Sequence, residues 1–498
     1  MNSQTKFTGT MIPKWRSPLK ALVLKALVLA LTLVAPAGLV RAQLGIRTVP
    51  NLTGFLDPTG IVRTYNQKGS IDLTGPFFQS LGTNGRSCGS CHQLSDAMGI
   101  AAANVELRFN LTLGTDPIFR TNDGSNCNHS IDVSSFEGRR AAYSLLRTRG
   151  LIRVALAVPA GADFQVVNVN NPYGCSERDV VSMYRRPLPA TNLKFLSTVM
   201  WDGRESSTQT GTTPISSTNY PQALLNNLMH QSVDATLGHA QAVSPGPISA
   251  QQQAIVAFEM GLSTAQAYDF LAGDLKEDGA DGGPLPLSQQ NFFIGINDPV
   301  GLDPTNPIPF NFNTKIFNIF SAWQGARDSR RAAIARGQAL FNTKTFTITD
   351  VAGLNGATFP NGVKGPATIV STCGICHDSP NAGDHSVSAP LNIGVADPPG
   401  GQNVLDTRYL PLITICQLPS LTACLTTTDP GRAMITGKFA DVGKFKGPIL
   451  RGLAARAPFF HNGSAQTLQD VVTFYNSRFN IGLTPQEILD LATFLTSL

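Results

Sequence analysis

Charged residues are scarce in this 498-residue chain, and neither sign dominates. Asp, Glu, Lys and Arg together make up 14% of the sequence, and the formal net charge is +5 at pH 7. The chain lacks runs of lysine or arginine and lacks aromatic residues interleaved with basic ones, so nothing favours nucleic-acid binding. With 42% hydrophobic residues, the composition is that of a globular protein long enough for two or three domains.

Long apolar runs are also missing, except for one near the amino terminus. This run, ALVLALTLVAPAGLV, occupies residues 26–40. The basic residues Lys14, Arg16, Lys20 and Lys25 precede it closely. The small-residue pattern ending at Ala42 predicts cleavage of an export signal over residues 1–42, and hence a periplasmic protein. A retained membrane anchor is the alternative, although about 15 apolar residues fall short of the roughly 20 that span a bilayer. We expect no stable membrane insertion of the mature chain.

Cysteine and histidine are rare, with eight and seven copies. Against that background, the pentad C-x-x-C-H occurs twice, as CGSCH at 88–92 and CGICH at 373–377. In this motif two thiols bind the haem vinyl groups and the adjacent histidine binds the iron. Beyond these two pentads, no further Cys-x-x-Cys or histidine pair supplies the rest of a tetrahedral zinc site. We therefore expect two covalently bound haem c groups. Their attachment residues would be Cys88, Cys91, Cys373 and Cys376, with His92 and His377 as proximal ligands.

Four cysteines remain outside the pentads. They fall into two local pairs, Cys127 with Cys175 and Cys416 with Cys424. An even remainder in an exported protein predicts two disulfides, which would fasten loop-rich insertions. Four free buried thiols are the alternative, which an oxidising compartment disfavours.

The two pentads predict a mainly α fold with two tandem cytochrome c-like domains. A Pro- and Asn-rich stretch at 297–313 interrupts the helical periodicity. We place the first domain at 43–310 and the second at 311–498. Short β-prone runs between 104 and 189 predict loop-rich insertions and a small β element in the first domain.

The carboxyl-terminal region resembles the bacterial di-haem cytochrome c peroxidase family, which includes the methylamine-utilisation enzyme that oxidises a protein substrate. The resemblance is carried by FKGPILR at 445–451, APFFHNGS at 457–464 and WDGR at 201–204, together with both pentads. It implies that Trp201 lies between the two haems and relays electrons, whereas taken alone this residue reads as a buried aromatic.

In the family, the distal ligand of the second haem lies fourteen residues after the histidine matched by His461. The peroxidases have Met at that position, but this chain has Tyr475, as the methylamine-utilisation enzyme does. Helical spacing also directs Tyr475 inward with Leu468, Val471 and Val472. Tyr475 is therefore a candidate iron ligand. The alternatives are a core tyrosine or ligation by Met98 or Met434.

The first haem is expected to be the reactive one. Some relatives close its distal side with a histidine shortly after the pentad, but none lies between His92 and His129 here. Gln231 matches a family glutamine, and Gln241 stands where the family has a catalytic glutamate. Because an amide cannot accept the peroxide proton, His239 is our candidate general base. His461 is a further candidate for supporting this distal pocket.

The leading hypothesis is a periplasmic di-haem peroxidase that reduces hydrogen peroxide with electrons from a small cytochrome c or cupredoxin. A second hypothesis is a di-haem oxidase of the methylamine-utilisation type, which oxidises a protein or organic substrate through an oxidised state shared by both haems. A third is a non-enzymatic electron-transfer cytochrome. The family often dimerises and often binds Ca²⁺, so a homodimer is a candidate assembly and Ca²⁺ a candidate cofactor. For Ca²⁺, however, Pro187 replaces the family's Asn ligand, while Pro458 matches a backbone contributor.

Overall fold

The computed structural model describes residues 47–129, 131–299, 301, 312–359, 362 and 364–498. The predicted signal segment at 1–42 and the predicted domain boundary at 310/311 lie outside the described residues, and the two-domain division remains a prediction. The described residues lie in one compact unit. None of the helices among them is long and apolar enough to cross a membrane.

The described residues form ten α-helices and thirteen β-strands. The helices are α1 (Ala102–Thr112), α2 (Phe136–Ala142), α3 (Ser144–Arg149), α4 (Gln222–Gly238), α5 (Ser249–Met260), α6 (Pro284–Gln289), α7 (Ser329–Thr343), α8 (Ala433–Thr436), α9 (Leu468–Arg478) and α10 (Pro485–Thr496). The strands are β1 (Thr48–Pro50), β2 (Gly54–Leu56), β3 (Gly60–Asn66), β4 (Ser70–Asp72), β5 (Ile152–Ala157), β6 (Phe164–Asn170), β7 (Val180–Arg185), β8 (Leu262–Asp269), β9 (Gly273–Asp274), β10 (Phe346–Ile348), β11 (Ile369–Ser371), β12 (Leu412–Gln417) and β13 (Cys424–Thr427).

The prediction of a mainly α fold is wrong. Only 30% of the described residues are helical, and 17% are in strands. Within the described ranges the strands make five antiparallel sheets: β2-β3-β8-β9, β13-β12-β6, β5-β7, β1-β4 and β10-β11. Strand β12, with the β-branched sequence LITICQ, pairs with β6 from the other half of the chain. With 46 glycines and 33 prolines the chain has many helix-breaking positions, which keep most helices short.

Helices α7 and α10 pack together at the core of the carboxyl-terminal region. A Cβ atom at Gly337 would lie 2.1 Å from the carbonyl oxygen of Asp490, so only glycine allows this close crossing. Helix α10 begins with a capping box, in which Thr484 and Glu487 accept each other's backbone N–H groups, and Pro485 occupies its first turn. Helix α9 begins in the same way with Thr467 and Asp470. Local sequence thus fixes where both helices start.

Both predicted disulfides are confirmed. Cys127 is bonded to Cys175, which joins the loop after α1 to the segment between β6 and β7. Cys416 is bonded to Cys424, which links the paired strands β12 and β13 across their turn. The four pentad cysteines are free thiols.

Candidate active site

Each pentad forms a short 3₁₀ turn, and the ring of its histidine is held by a backbone carbonyl group six residues further along the chain. In the first pentad, Nδ1 of His92 lies 3.1 Å from the carbonyl oxygen of Met98. In the second, Nδ1 of His377 lies 2.7 Å from the carbonyl oxygen of Gly383. Because a carbonyl oxygen can only accept, Nδ1 donates in both contacts and Nε2 keeps its lone pair. Burial lowers the pKa of both imidazoles to about 4, so both are neutral, as iron ligands must be.

The two pentads line two separate cavities. The first contains Cys88, Cys91 and His92 in its wall, and the second contains Cys373, Cys376 and His377. Met98 and Met434, the alternative ligands, line neither cavity, and both pack in hydrophobic clusters instead. Each cavity therefore presents two thiols and a neutral imidazole with a free Nε2, the donor set that attaches haem c.

Buried cations around these cavities also fit a group that carries carboxylates. Arg186 and Lys446 line both cavities, and Arg456 lines the second. Within the described part of the chain, none of the three forms an ion pair. Arg186 and Arg456 donate only to carbonyl oxygens, and Nε of Arg456 has no partner. Burial lowers the pKa of Lys446 to about 8 and of Arg186 to about 9. Since unpaired buried charges are costly, the propionates of bound haem would compensate them.

Helix α4 forms one wall of the first cavity. Gln231, Ser232, Ala235 and Thr236 line it from one helical face, and His239 lines it from the position after the last helical residue. Gln231 and His239, both predicted, are therefore brought together two turns apart. Gln241 is not brought there. It is exposed, has a left-handed φ of 55°, and uses its carbonyl oxygen to accept hydrogen bonds from Thr83.

His239 is held by an ion pair that the sequence did not reveal. Its Nδ1 contacts Oδ2 of Asp123, and Oδ1 of Asp123 contacts Nη1 of Arg86. Burial opposes ionisation of Asp123, but the hydrogen bond and charge of His239 and the charge of Arg86 prevail, so its pKa lies below the usual value. An ionised Asp123 can only accept, so Nδ1 of His239 donates to it, and a neutral His239 ring has its lone pair on Nε2. Arg86 stands two residues before Cys88, which ties this pair to the attachment turn.

Trp201 lines both cavities, as the resemblance implied. Its Nε1 donates to the carbonyl oxygen of Arg186 at 2.7 Å, and its own carbonyl oxygen accepts from the backbone N–H of Lys446 at 2.9 Å. The next residue, Asp202, pairs with the buried guanidinium of Arg185, which also binds Asp429 at 2.7 Å. The indole is thus fixed in orientation between the two candidate haem sites.

We expected His461 to support the distal pocket of the first haem. It lies instead in the wall of the second cavity and does not line the first one. It is buried and stacks on Phe445 with ring centroids 3.9 Å apart, and its ring meets Trp201 edge to face at 6.1 Å. Burial lowers its pKa to about 4. It is therefore a neutral partner of Trp201, and its catalytic role remains a prediction.

Tyr475 faces the second cavity together with Leu468, Val471 and Val472, the four residues that the helical spacing placed on one face. Its ring packs against Phe460, Phe474 and Phe479. The hydroxyl has no hydrogen-bond partner among the described residues, so the alternative of a core tyrosine bonded to a backbone carbonyl has no support. Burial raises the pKa of Tyr475 well above its usual value. Only a cation at the cavity would stabilise its phenolate.

Glu259 is a further residue of the first cavity that sequence reasoning missed. It lies near the end of α5, it is buried, and its Oε2 has no hydrogen-bond partner. Burial raises its pKa to about 8, so this carboxyl holds a proton at neutral pH. The sequence signal that could have revealed it is a carboxylate directly before Met260 in an otherwise apolar helical pattern.

The candidate Ca²⁺ site gains no support. Pro187 provides no side-chain oxygen where the family has Asn, and Pro458 lines the second cavity after a cis peptide bond. The candidate homodimer likewise remains a prediction.

The site as a whole is a candidate redox centre with two cavities, a histidine oriented by Asp123 in the first cavity and a tryptophan shared by both. No family model matches the chain. Cytochrome c peroxidase IdrP1 of Denitromonas iodatirespirans is 29% identical over 199 residues, which cover 36% of this chain and 44% of that protein. Cytochrome c peroxidase IdrP2 of the same organism is 32% identical over 136 residues, covering 25% of this chain and 35% of that protein. The matches thus span less than half the length of these relatives.

These relatives, both named cytochrome c peroxidases, confirm the resemblance to the di-haem cytochrome c peroxidase family. A solved MauG-like protein associated with microbial copper homeostasis also aligns with 85% of this chain and 87% of its own, at 16% identity and a TM-score of 0.34. We draw no conclusion from that likeness.

Proposed function

We propose that this chain is a periplasmic di-haem c-type peroxidase that reduces hydrogen peroxide at the first cavity, with electrons relayed from the second. The observation that carries the proposal is the position of Trp201, whose side chain lines both pentad cavities. When bound, haem supplies the redox chemistry by which one H₂O₂ takes up two electrons and two protons and yields two water molecules.

The proton transfer is assigned to His239. Asp123 holds the proton on Nδ1, so Nε2 accepts a proton from one peroxide oxygen and returns it to the other as the O–O bond breaks. The amide of Gln231, on the same wall, donates a hydrogen bond to the peroxide. The His239 side chain is 41% exposed, which lets it exchange protons with solvent between turnovers.

The electron path is assigned to Trp201. The indole Nε1 donates a hydrogen bond to the carbonyl oxygen of Arg186, and the backbone carbonyl of Trp201 accepts one from Lys446. These two bonds fix the distance from the indole to each cavity. The donor would be a small cytochrome c or cupredoxin that docks near the second cavity. The two disulfides support a location in an oxidising compartment, which agrees with the export signal at residues 1–42.

One observation favours a second candidate function, oxidation of a protein or organic substrate that does not enter the first cavity. Tyr475 has no hydrogen-bond partner for its hydroxyl and faces the second cavity, where a phenolate would stabilise ferric iron. A low-potential second haem is a poor acceptor of electrons from ordinary donors, which would favour oxidation of another substrate.

The test is peroxide-dependent oxidation of a reduced small cytochrome c by the full di-haem protein. The matched comparison is a variant with Cys373→Ala and Cys376→Ala, which retains the first pentad. We expect turnover by the native protein without pre-reduction, and loss of donor oxidation in the variant. Equal turnover in both would contradict a relay through the second haem.

A further inference from the structure

One group of side chains that could hold a metal ion includes two residues of helix α4. It consists of Glu205, His230 and Asp234, whose ligand atoms all lie within 4.8 Å of one another. His230 directly precedes Gln231 in α4, and Glu205 belongs to the turn Arg204–Ser206 that follows the Trp201 motif. None of the three residues lines the pentad cavities.

We propose that Glu205, His230 and Asp234 bind a divalent transition-metal ion of the Zn²⁺ class, which joins the Trp201 segment to helix α4. This site is independent of the proposed peroxidase function, because it uses neither haem cavity.

The distances suit such an ion. Nδ1 of His230 lies 2.8 Å from Oε2 of Glu205 and 3.9 Å from Oδ2 of Asp234. Two ligands of a tetrahedral Zn²⁺ ion, with bonds of about 2.0–2.2 Å, are about 3.4 Å apart. The first separation is about 0.6 Å shorter and the second about 0.5 Å longer than that value. Rotation of the exposed His230 and Asp234 side chains would therefore bring these donors to ligand spacing around one ion. A water molecule would supply the fourth ligand.

The charges point the same way. Two carboxylates face a single imidazole nitrogen, which has only one proton to share between them. Arg204, the nearest arginine in sequence, donates to Asp202 at 3.2 Å and forms no ion pair with Glu205. A divalent cation would neutralise both carboxylates at once.

The donor types select the class of metal. An imidazole nitrogen with two carboxylate oxygens suits Zn²⁺ and its transition-metal neighbours, whereas Ca²⁺ and Mg²⁺ prefer all-oxygen sites. Access is open as well, because the His230 and Asp234 side chains are 41% and 55% exposed while Glu205 anchors the site at 3% exposure. The ligands come from two separate elements, so a bound ion would cross-link them.

The test is isothermal titration of ZnCl₂ into the untagged, haem-loaded protein after treatment with a chelator. Removing a hydrogen-bond partner of a metal ligand already costs about 10–100-fold in affinity, so His230→Gln and Asp234→Asn should each weaken Zn²⁺ binding by at least about tenfold. Because both substitutions are at exposed side chains, we expect the fold to be retained, and the haem absorbance spectrum of each variant will check this.

A matched control is His129→Gln. His129 also pairs with a carboxylate, Glu177 at 3.4 Å, on an exposed surface, but its cysteine neighbours Cys127 and Cys175 are consumed in a disulfide. We expect one Zn²⁺ per chain in the native protein and in His129→Gln, with no competition from Ca²⁺. The proposal is overturned if the native protein takes up no Zn²⁺, or if uptake survives in both His230→Gln and Asp234→Asn.

Discussion

Asp123 and His239, separated by 116 positions in the chain, meet through Oδ2 and Nδ1 at the wall of the first cavity. The carboxylate fixes which ring nitrogen carries the proton, and Arg86 holds the carboxylate from its other oxygen. This arrangement gives the proposed base, His239, a defined tautomer and direction.

Replacing Asp123 with Asn should impair peroxide reduction without preventing haem attachment. The amide carries no charge to hold the Nδ1 proton, so the loss in kcat/KM should approach that of His239→Ala, on the order of 10²–10⁴-fold. The control is Asp116→Asn, which breaks the buried Arg108–Asp116 pair near the same pentad without touching a histidine. If both asparagine variants lose activity equally, the effect is structural and Asp123 does not position the base.

Replacing Trp201 with Phe should slow electron delivery while leaving the reaction with peroxide intact. We expect steady-state turnover to fall at least about tenfold, or about 1.4 kcal/mol in the barrier. Stopped-flow mixing of the fully reduced protein with peroxide should show an unchanged first phase. Trp323→Phe is the matched control, since Trp323 is a buried indole that stacks on Phe320 away from both cavities. A relay through Trp201 would be contradicted by normal turnover in Trp201→Phe.

Much of this site follows from local sequence, and the rest depends on contacts between distant segments. The pentads, the helix starts at Thr467 and Thr484, and the inward face of α9 are local patterns that the structure keeps. The pairing of β6 with β12 is different, because strands separated by more than two hundred residues leave no local periodicity that announces their sheet. Gln241 was misplaced for a simpler reason. It was assigned from a match to a family position rather than from a local pattern, and helix α4 ends at Gly238, so Gln241 does not continue the face that carries Gln231.

Replacing Tyr475 with Phe tests whether its hydroxyl binds the second iron. Haem axial ligands set reduction potentials over about 0.8 V, so loss of a phenolate should raise the potential of one haem by on the order of 0.1 V. The low-temperature EPR spectrum of that ferric haem should change as well. The control is Tyr220→Phe, whose hydroxyl donates to the carbonyl oxygen of Lys194 away from this cavity. Identical spectra and potentials in native protein and Tyr475→Phe would exclude ligation.

Glu259 should make the stability of the protein depend on pH. Its folded-state pKa is raised from 4.5 to about 8, so between these values the native state binds more protons than the unfolded state. The free energy of unfolding should therefore fall by up to about 1.4 kcal/mol per pH unit as pH rises through this window. Glu259→Gln should remove that slope in urea titrations at pH 5 to 8, and the exposed control Glu137→Gln should keep it. A native protein whose unfolding free energy stays constant over this range would contradict the assignment.

The two disulfides should differ in what they contribute. They close loops of 48 and 8 residues, for which loop-closure entropy gives about 4 and about 2.5 kcal/mol respectively. The double variant Cys127→Ser/Cys175→Ser should therefore lower the free energy of unfolding more than Cys416→Ser/Cys424→Ser does. Urea titration of the haem-loaded protein measures both, and the reverse order would show that strain or residual structure outweighs loop length.

In the proposed function, peroxide is reduced at the first cavity with electrons that enter through the second. Its most direct test is the stoichiometry of donor oxidation, measured by adding limiting H₂O₂ to the protein with excess reduced small cytochrome c. We expect that two donor molecules are oxidised per H₂O₂, rapidly and without pre-reduction of the protein. A long-lived oxidised protein that the donor barely quenches would contradict it and would favour a protein or organic substrate instead.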